Sequence, residues 1–194
     1  MTVVSASTVR QTRVATRLWN DHVMVESTIC SGCSVRLAKC DWNLDRRLNA
    51  SPECWQLYGD VAGYELSHPS LGRFHQLMVD AYGAQHAGGD TAYIRVAYSL
   101  VGLHLALDRG MSGVSVRDAH QRMGHPDSSW PPFPRPERVG SLTISDVAGA
   151  GLRVDSITGH APLVERWARD VWDAWRQRHS DVADFAARVV PNLV

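Results

Sequence analysis

The sequence predicts an all-α, single-domain helical bundle with an N-terminal zinc-knuckle-like turn. Its 194 residues suit one domain with a sizeable hydrophobic core. Beyond about residue 50, apolar residues recur at spacings of three and four between cap and break signals, the mark of amphipathic helices. Ahead of them, "TICSGCSVRLAKC" sets Cys30 and Cys33 two residues apart around Ser31 and Gly32, a spacing suited to a tight metal-binding turn.

Taken in order, residues 1–29 hold Arg10, Arg13 and Arg17 without a continuous apolar run. They read as a poorly ordered tail rather than an export signal, and the helical Cys/His metal-binding domain is expected over residues 30–190. Ser51 is a good N-cap, Pro52 fits the first helical position and Glu53 suits the positive helix end, so a helix is predicted to about Leu66. A second is predicted over about 70–86, ending at the glycines of "AGGD". A third, about 91–109, is apolar nearly all round and should be the most buried. Ser115 and Asp118 resemble a capping box for a short helix to about Met123. Prolines keep "HPDSSWPPFPRPERVG" irregular, with Trp130 and Phe133 pinned to the body. "SLTISDVAGAG" reads as a brief strand and a short helix. Pro162 should open a long amphipathic helix carrying Leu163, Val164, Trp167, Val171, Ala174 and Trp175 on its buried face, and Ser180 a last one. Trp167, Trp172 and Trp175 are expected to be core rather than a cofactor box.

Composition narrows the function. Hydrophobic residues make up 44% and charged residues 21%, with zero net charge. A nucleic-acid binder would show a basic surplus, and no apolar run approaches the roughly 20 residues that cross a bilayer. No nucleic-acid or membrane partner is therefore expected. With no export signal, the expected compartment is the cytoplasm, where closely spaced cysteines serve as metal ligands or redox thiols more often than as disulfides. No phosphate loop, dinucleotide fingerprint, nucleophile elbow or H-E-x-x-H motif is present.

Cys54 falls in the first turn of the first predicted helix, where partial positive charge favours the thiolate that binds metal. Cys30, Cys33 and Cys54 need one more ligand to complete a tetrahedral zinc site; Cys40 or a histidine of the next helix could supply it. In that helix, eleven residues separate His75 from His86, about three full turns, so the two share a face with Tyr82. His104 lies in "LVGLHLAL", where an ionised imidazole is costly; it must be neutral, hydrogen-bonded or liganded, and the hairpin geometry puts it nearer His75 than His86. Asp80 could orient an imidazole.

The blocks C-x-x-C, "ASPECWQLYGDV", "HQLMVDAYGAQH", "HLALDRG", "GSLTISDV" and "VERWARDVWDAW" resemble an uncharacterised bacterial family, a domain of unknown function, over about residues 30–185. The resemblance implies that Cys30, Cys33, Cys54, His75, Asp80, Tyr82, Gln85, His86 and His104 belong to the family pattern and that Cys40 does not. The chain departs from it at "QHAGG", where relatives read Q-H-P-G, and at Arg178-His179, where paired histidines are expected.

Together these readings give a zinc site of Cys30, Cys33, Cys54 and His75, with His86 and Cys40 as alternatives for the fourth ligand. Asp80, Tyr82, His86 and His104 are the candidate catalytic residues, in a pocket between the His75/His86 helix and the third helix. The expected function is zinc-dependent, hydrolytic or lyase-type chemistry on a small molecule; the alternative is a non-catalytic zinc-stabilised binding or sensor module. A thiol redox enzyme is weaker, because no βαβ context surrounds the C-x-x-C.

Overall fold

The computed structural model describes residues 26–40, 48–123, 130–151 and 157–190; most of the expected tail, residues 1–25, lies outside them. Two short strands, β1 (Ser27–Ile29) and β2 (Arg36–Ala38), pair antiparallel with Ser27 opposite Ala38. Among the described residues they precede seven α-helices: α1 (Pro52–Ser67), α2 (Gly72–Gln85), α3 (Tyr93–Leu103), α4 (Gly113–Met123), α5 (Ile144–Gly151), α6 (Ile157–Ala174) and α7 (His179–Val189). The helical fold class is as predicted. The strands are a correction at Ser27–Ile29: that segment pairs rather than trailing, because the cysteine turn folds it back on β2.

The helix starts follow local chemistry. The Ser51 hydroxyl accepts from the Cys54 amide at 3.3 Å, with Pro52 next in line, satisfying one of the unpaired first-turn donors. α3 does not run uniformly to residue 109: it passes into a π-helical turn, His104–Asp108. α6 begins five residues before Pro162, which lies inside the helix; it forgoes one hydrogen bond there, since proline has no amide proton. "SLTISDVAGAG" forms α5 without a strand.

The core gathers around α2, which packs on α1, α3, α4 and α6. Two close approaches join α2 to α3. A Cβ on Gly83 would lie 2.1 Å from Ser99 Oγ, and one on Gly102 would lie 2.0 Å from Asp80 Oδ2. Trp167, Trp172 and Trp175 are buried, as expected of core. Phe133 meets Phe185 edge-on, and Trp130 stacks on Tyr98 with centroids 5.2 Å apart, so the proline-rich segment is pinned as predicted.

Candidate metal centre

Three elements bring their ligands to one point. The turn after β1 supplies Cys30 and Cys33. Its geometry is held by the Cys30 amide bonding the Val35 carbonyl at 2.9 Å and the Ser34 amide bonding the Cys30 carbonyl at 2.9 Å. Ser34 takes a left-handed φ of 63° to close it. The first turn of α1 supplies Cys54, and the C-cap of α2 supplies His86. One ligand atom from each of the four residues lies within 4.8 Å of the other three, and all four residues are buried. Cys54 Sγ is 3.3 Å from His86 Nε2 and 3.7 Å from Cys33 Sγ.

The imidazole is fixed in the tautomer a metal needs. His86 Nδ1 is 2.8 Å from the Tyr82 carbonyl oxygen, which can only accept. Nδ1 therefore carries the proton, and the Nε2 lone pair faces the sulfurs. Around this core the Ser51 amide donates to Cys30 Sγ at 3.4 Å and the Tyr82 hydroxyl donates to Cys54 Sγ at 3.6 Å. Trp55, Tyr58, Tyr82 and His86 then form a continuous series of ring contacts from the surface to the ligand, stacked at Trp55–Tyr58 and Tyr82–His86 and tilted at Tyr58–Tyr82.

The thiols crowd one another. Hydrogen bonds from Cys33 and Cys54 hold Cys30 far below the ordinary thiol range. The hydrogen bond with Cys30 pushes Cys33 up to about 12 and drives Cys54 upward as well. Left to itself, the group thus resists ionising all three thiols together. A cation among the sulfurs reverses that preference, because a coordinated thiol is deprotonated. Three sulfurs and one imidazole nitrogen form the soft donor set that tetrahedral metal sites use, and the residues present fit such an ion.

The candidate ligands and catalytic residues divide differently from the sequence reading. His75 is not in the group. Its Nδ1 donates to Glu65 Oε2 at 2.9 Å, and Glu65 Oε1 accepts from His160 Nε2 at 2.9 Å. Sharing a face with His86 is not proximity: eleven residues of helix separate the two by about 16 Å along the axis. Cys40 also lies outside the group; its amide donates to Glu53 Oε1 at 3.0 Å.

Of the proposed catalytic residues, His86 is in the metal group and Tyr82 bonds one of its sulfurs. His104 Nδ1 pairs with Asp108 Oδ2 at 2.9 Å, and the same carboxylate accepts from Trp172 Nε1. Asp80 lines a separate cavity. Gln85 is structural: its amide nitrogen donates to the Val139 and Leu142 carbonyls, and its oxygen accepts from Trp167 Nε1. Sequence reasoning missed the buried Glu65–His160 pair, whose partners are 95 positions apart and carry no local signal.

The four converging residues fall in a segment, residues 28–176, that matches the family of unknown function DUF5946. The chain belongs to DUF5946. Searches of curated proteins and of solved structures gave no match. For a DUF5946 member, then, the chemistry of the site has to be read from its own geometry. Among the described residues no helix is long and apolar enough to cross a membrane.

Proposed function

We propose that Cys30, Cys33, Cys54 and His86 hold a zinc ion whose role is structural, clamping the N-terminal turn onto α1 and α2. The observation that carries this reading is the closure of the site. Four protein donors converge, each residue at most 8% exposed, with Nε2 of His86 freed by its partner on Nδ1. A catalytic zinc keeps a position for water or substrate, whereas a structural one is filled by four protein ligands.

The clamp has a clear mechanical purpose. β1 and β2 together span too few residues to fold alone. Besides the cysteines, the turn is held by Arg135 of the proline-rich segment, which donates to the Gly32 carbonyl, and it packs against Asn49, whose network reaches the end of α2. The Asn49 amide bonds Thr91 Oγ1, its side chain bonds the Ala87 carbonyl, and Thr91 Oγ1 in turn bonds the His86 carbonyl. A metal joining these parts would contribute its binding free energy to folding.

The test is metal analysis of protein purified under reducing conditions, followed by chelation. One zinc per chain and a large drop in melting temperature on chelation, restored by zinc, are expected. Metal-free protein that melts unchanged would overturn the proposal.

A further inference from the structure

A cavity of about 370 Å³ opens between α2, α4, α6 and the π-helical turn after α3, and it shares no residue with the metal group. Phe74, Leu77, Leu107 and Met111 form half-buried apolar walls, and Arg73, Glu165 and Arg169 stand exposed at its rim. The π turn contributes Ala106 and Leu107; such turns recur at functional sites.

Asp80 and Gln76 supply its inner polar groups. Asp80 is 2% exposed, and its Oδ2 has no hydrogen-bond partner among the described residues. Its Oδ1 accepts from Gln76 Nε2 at 3.1 Å, and the same Nε2 is 3.3 Å from His120 Nδ1. The Gln76 amide donors are thus committed, so the polar groups left along this wall of the cavity are acceptors, the Gln76 carbonyl and the Asp80 carboxylate, whose Oδ2 packs against Gly102.

Among the described residues no cation hydrogen-bonds or pairs with this carboxylate. α3 presents Gly102, and α1 presents Tyr58, itself pushed up by burial and by the Asp80 charge. α4 presents His120, held down at about 4 by burial and so neutral near pH 7. The Arg73 guanidinium lies 4.7 Å over the Phe74 ring, and Arg169 is at the exposed rim one helical turn from Glu165. Gly102 leaves space on α3 where any Cβ would strike Oδ2, so the interior is shaped to hold a carboxylate it does not neutralise. Burial alone raises the Asp80 pKa and favours its protonated form, whereas a bound cation would favour the carboxylate.

We propose that this cavity is a binding site for a small primary amine with an apolar body, its ammonium group received by Asp80 and the Gln76 carbonyl and its body lying along Phe74, Leu77, Leu107 and Met111. The proposal does not depend on the zinc reading.

The test is calorimetric titration of the full-length, metal-loaded protein with 2-phenylethylamine, 2-phenylethanol and 3-phenylpropionate. The amine is expected to bind, with the alcohol and the acid each weaker by about tenfold or more. Asp80→Asn should weaken the amine by about 30-fold or more, the usual scale for removing one partner of a buried charge pair. Ala106→Trp, which fills the cavity and leaves Asp80 in place, should abolish amine binding with the melting transition and metal content retained; it carries the test if Asp80→Asn does not fold. Equal binding of the alcohol or the acid, amine binding unchanged in either folded variant, or no binding of the amine at millimolar concentration would overturn the proposal.

Discussion

Gly32→Ala is the sharpest single perturbation of the metal centre, because it adds one methyl group without replacing a ligand. The new Cβ would lie 2.3 Å from the Asn49 carbonyl oxygen, 2.3 Å from His86 Cδ2 and 2.9 Å from His86 Cγ. Ordinary contacts to a Cβ begin near 3.4 Å, so the turn must lift by about 1 Å against both backbone and ring. A zinc–sulfur bond of about 2.3 Å does not tolerate that movement. The expected cost is about 1–3 kcal/mol of packing and a loss of zinc affinity of about 10–100-fold, the range seen when groups that orient ligands are removed. Competition against a chromogenic chelator measures the affinity, and thermal melting measures the stability. Gly59→Ala on α1 is the control. Nothing lies within 4 Å of its added Cβ, and an alanine inside a helix should stabilise by about 0.5–1 kcal/mol. If Gly32→Ala binds zinc and melts like the wild type, the packing of the turn on His86 is wrong.

Three further outcomes are expected. His86→Ala should lose the metal, whereas His75→Ala should keep it and be destabilised by about 1–3 kcal/mol through the buried Glu65 oxygen it leaves unpaired; inductively coupled plasma analysis beside a melt separates them. Gln85→Leu strands the Val139 and Leu142 carbonyls and Trp167 Nε1, so it should cost about 3–5 kcal/mol and lower Tm by roughly 10 °C. pH dependence should separate His120 from Asp80. Burial lowers His120 from 6.5 to about 4; between those values the unfolded chain binds more protons, so stability falls as pH drops, by about 3 kcal/mol at most. Asp80 is raised above 3.8 by burial, so its contribution is fully present below 3.8 and is lost as pH rises. Denaturant melts across pH 4–7 should show His120→Phe flattening the acid fall and Asp80→Asn gaining stability over wild type as pH rises. A parallel shift of both variants at every pH would contradict these assignments.

Much of the fold was legible because its signals are local. Ser51 and Pro52 mark the start of α1 in a few residues, and the 3.6-residue recurrence of Val164, Trp167 and Val171 marks the buried face of α6. The same locality explains the misses. Periodicity assigns His75 and His86 to one face but says nothing of which end of the helix meets the cysteine turn, so the fourth ligand required tertiary structure. Cys54 was accessible from sequence because its position in the first turn of a capped helix is itself a local fact. His104 had to be satisfied inside an apolar run, and it is, by Asp108 four residues on. The Pro162 boundary failed because proline is tolerated inside a helix when flanking residues carry the turn on both sides. The pairing of Glu65 with His160 and the cavity at Asp80 arise only when α1, α2, α4 and α6 assemble.

X-ray absorption at the zinc edge on the purified protein tests the central claim most directly. Three sulfur scatterers near 2.3 Å and one imidazole nitrogen near 2.0–2.1 Å are expected, with the nitrogen contribution lost in His86→Ala and retained in His75→Ala. A water oxygen in the coordination shell, fewer than three sulfurs, or a spectrum indifferent to His86 would contradict a closed Cys30, Cys33, Cys54 and His86 site.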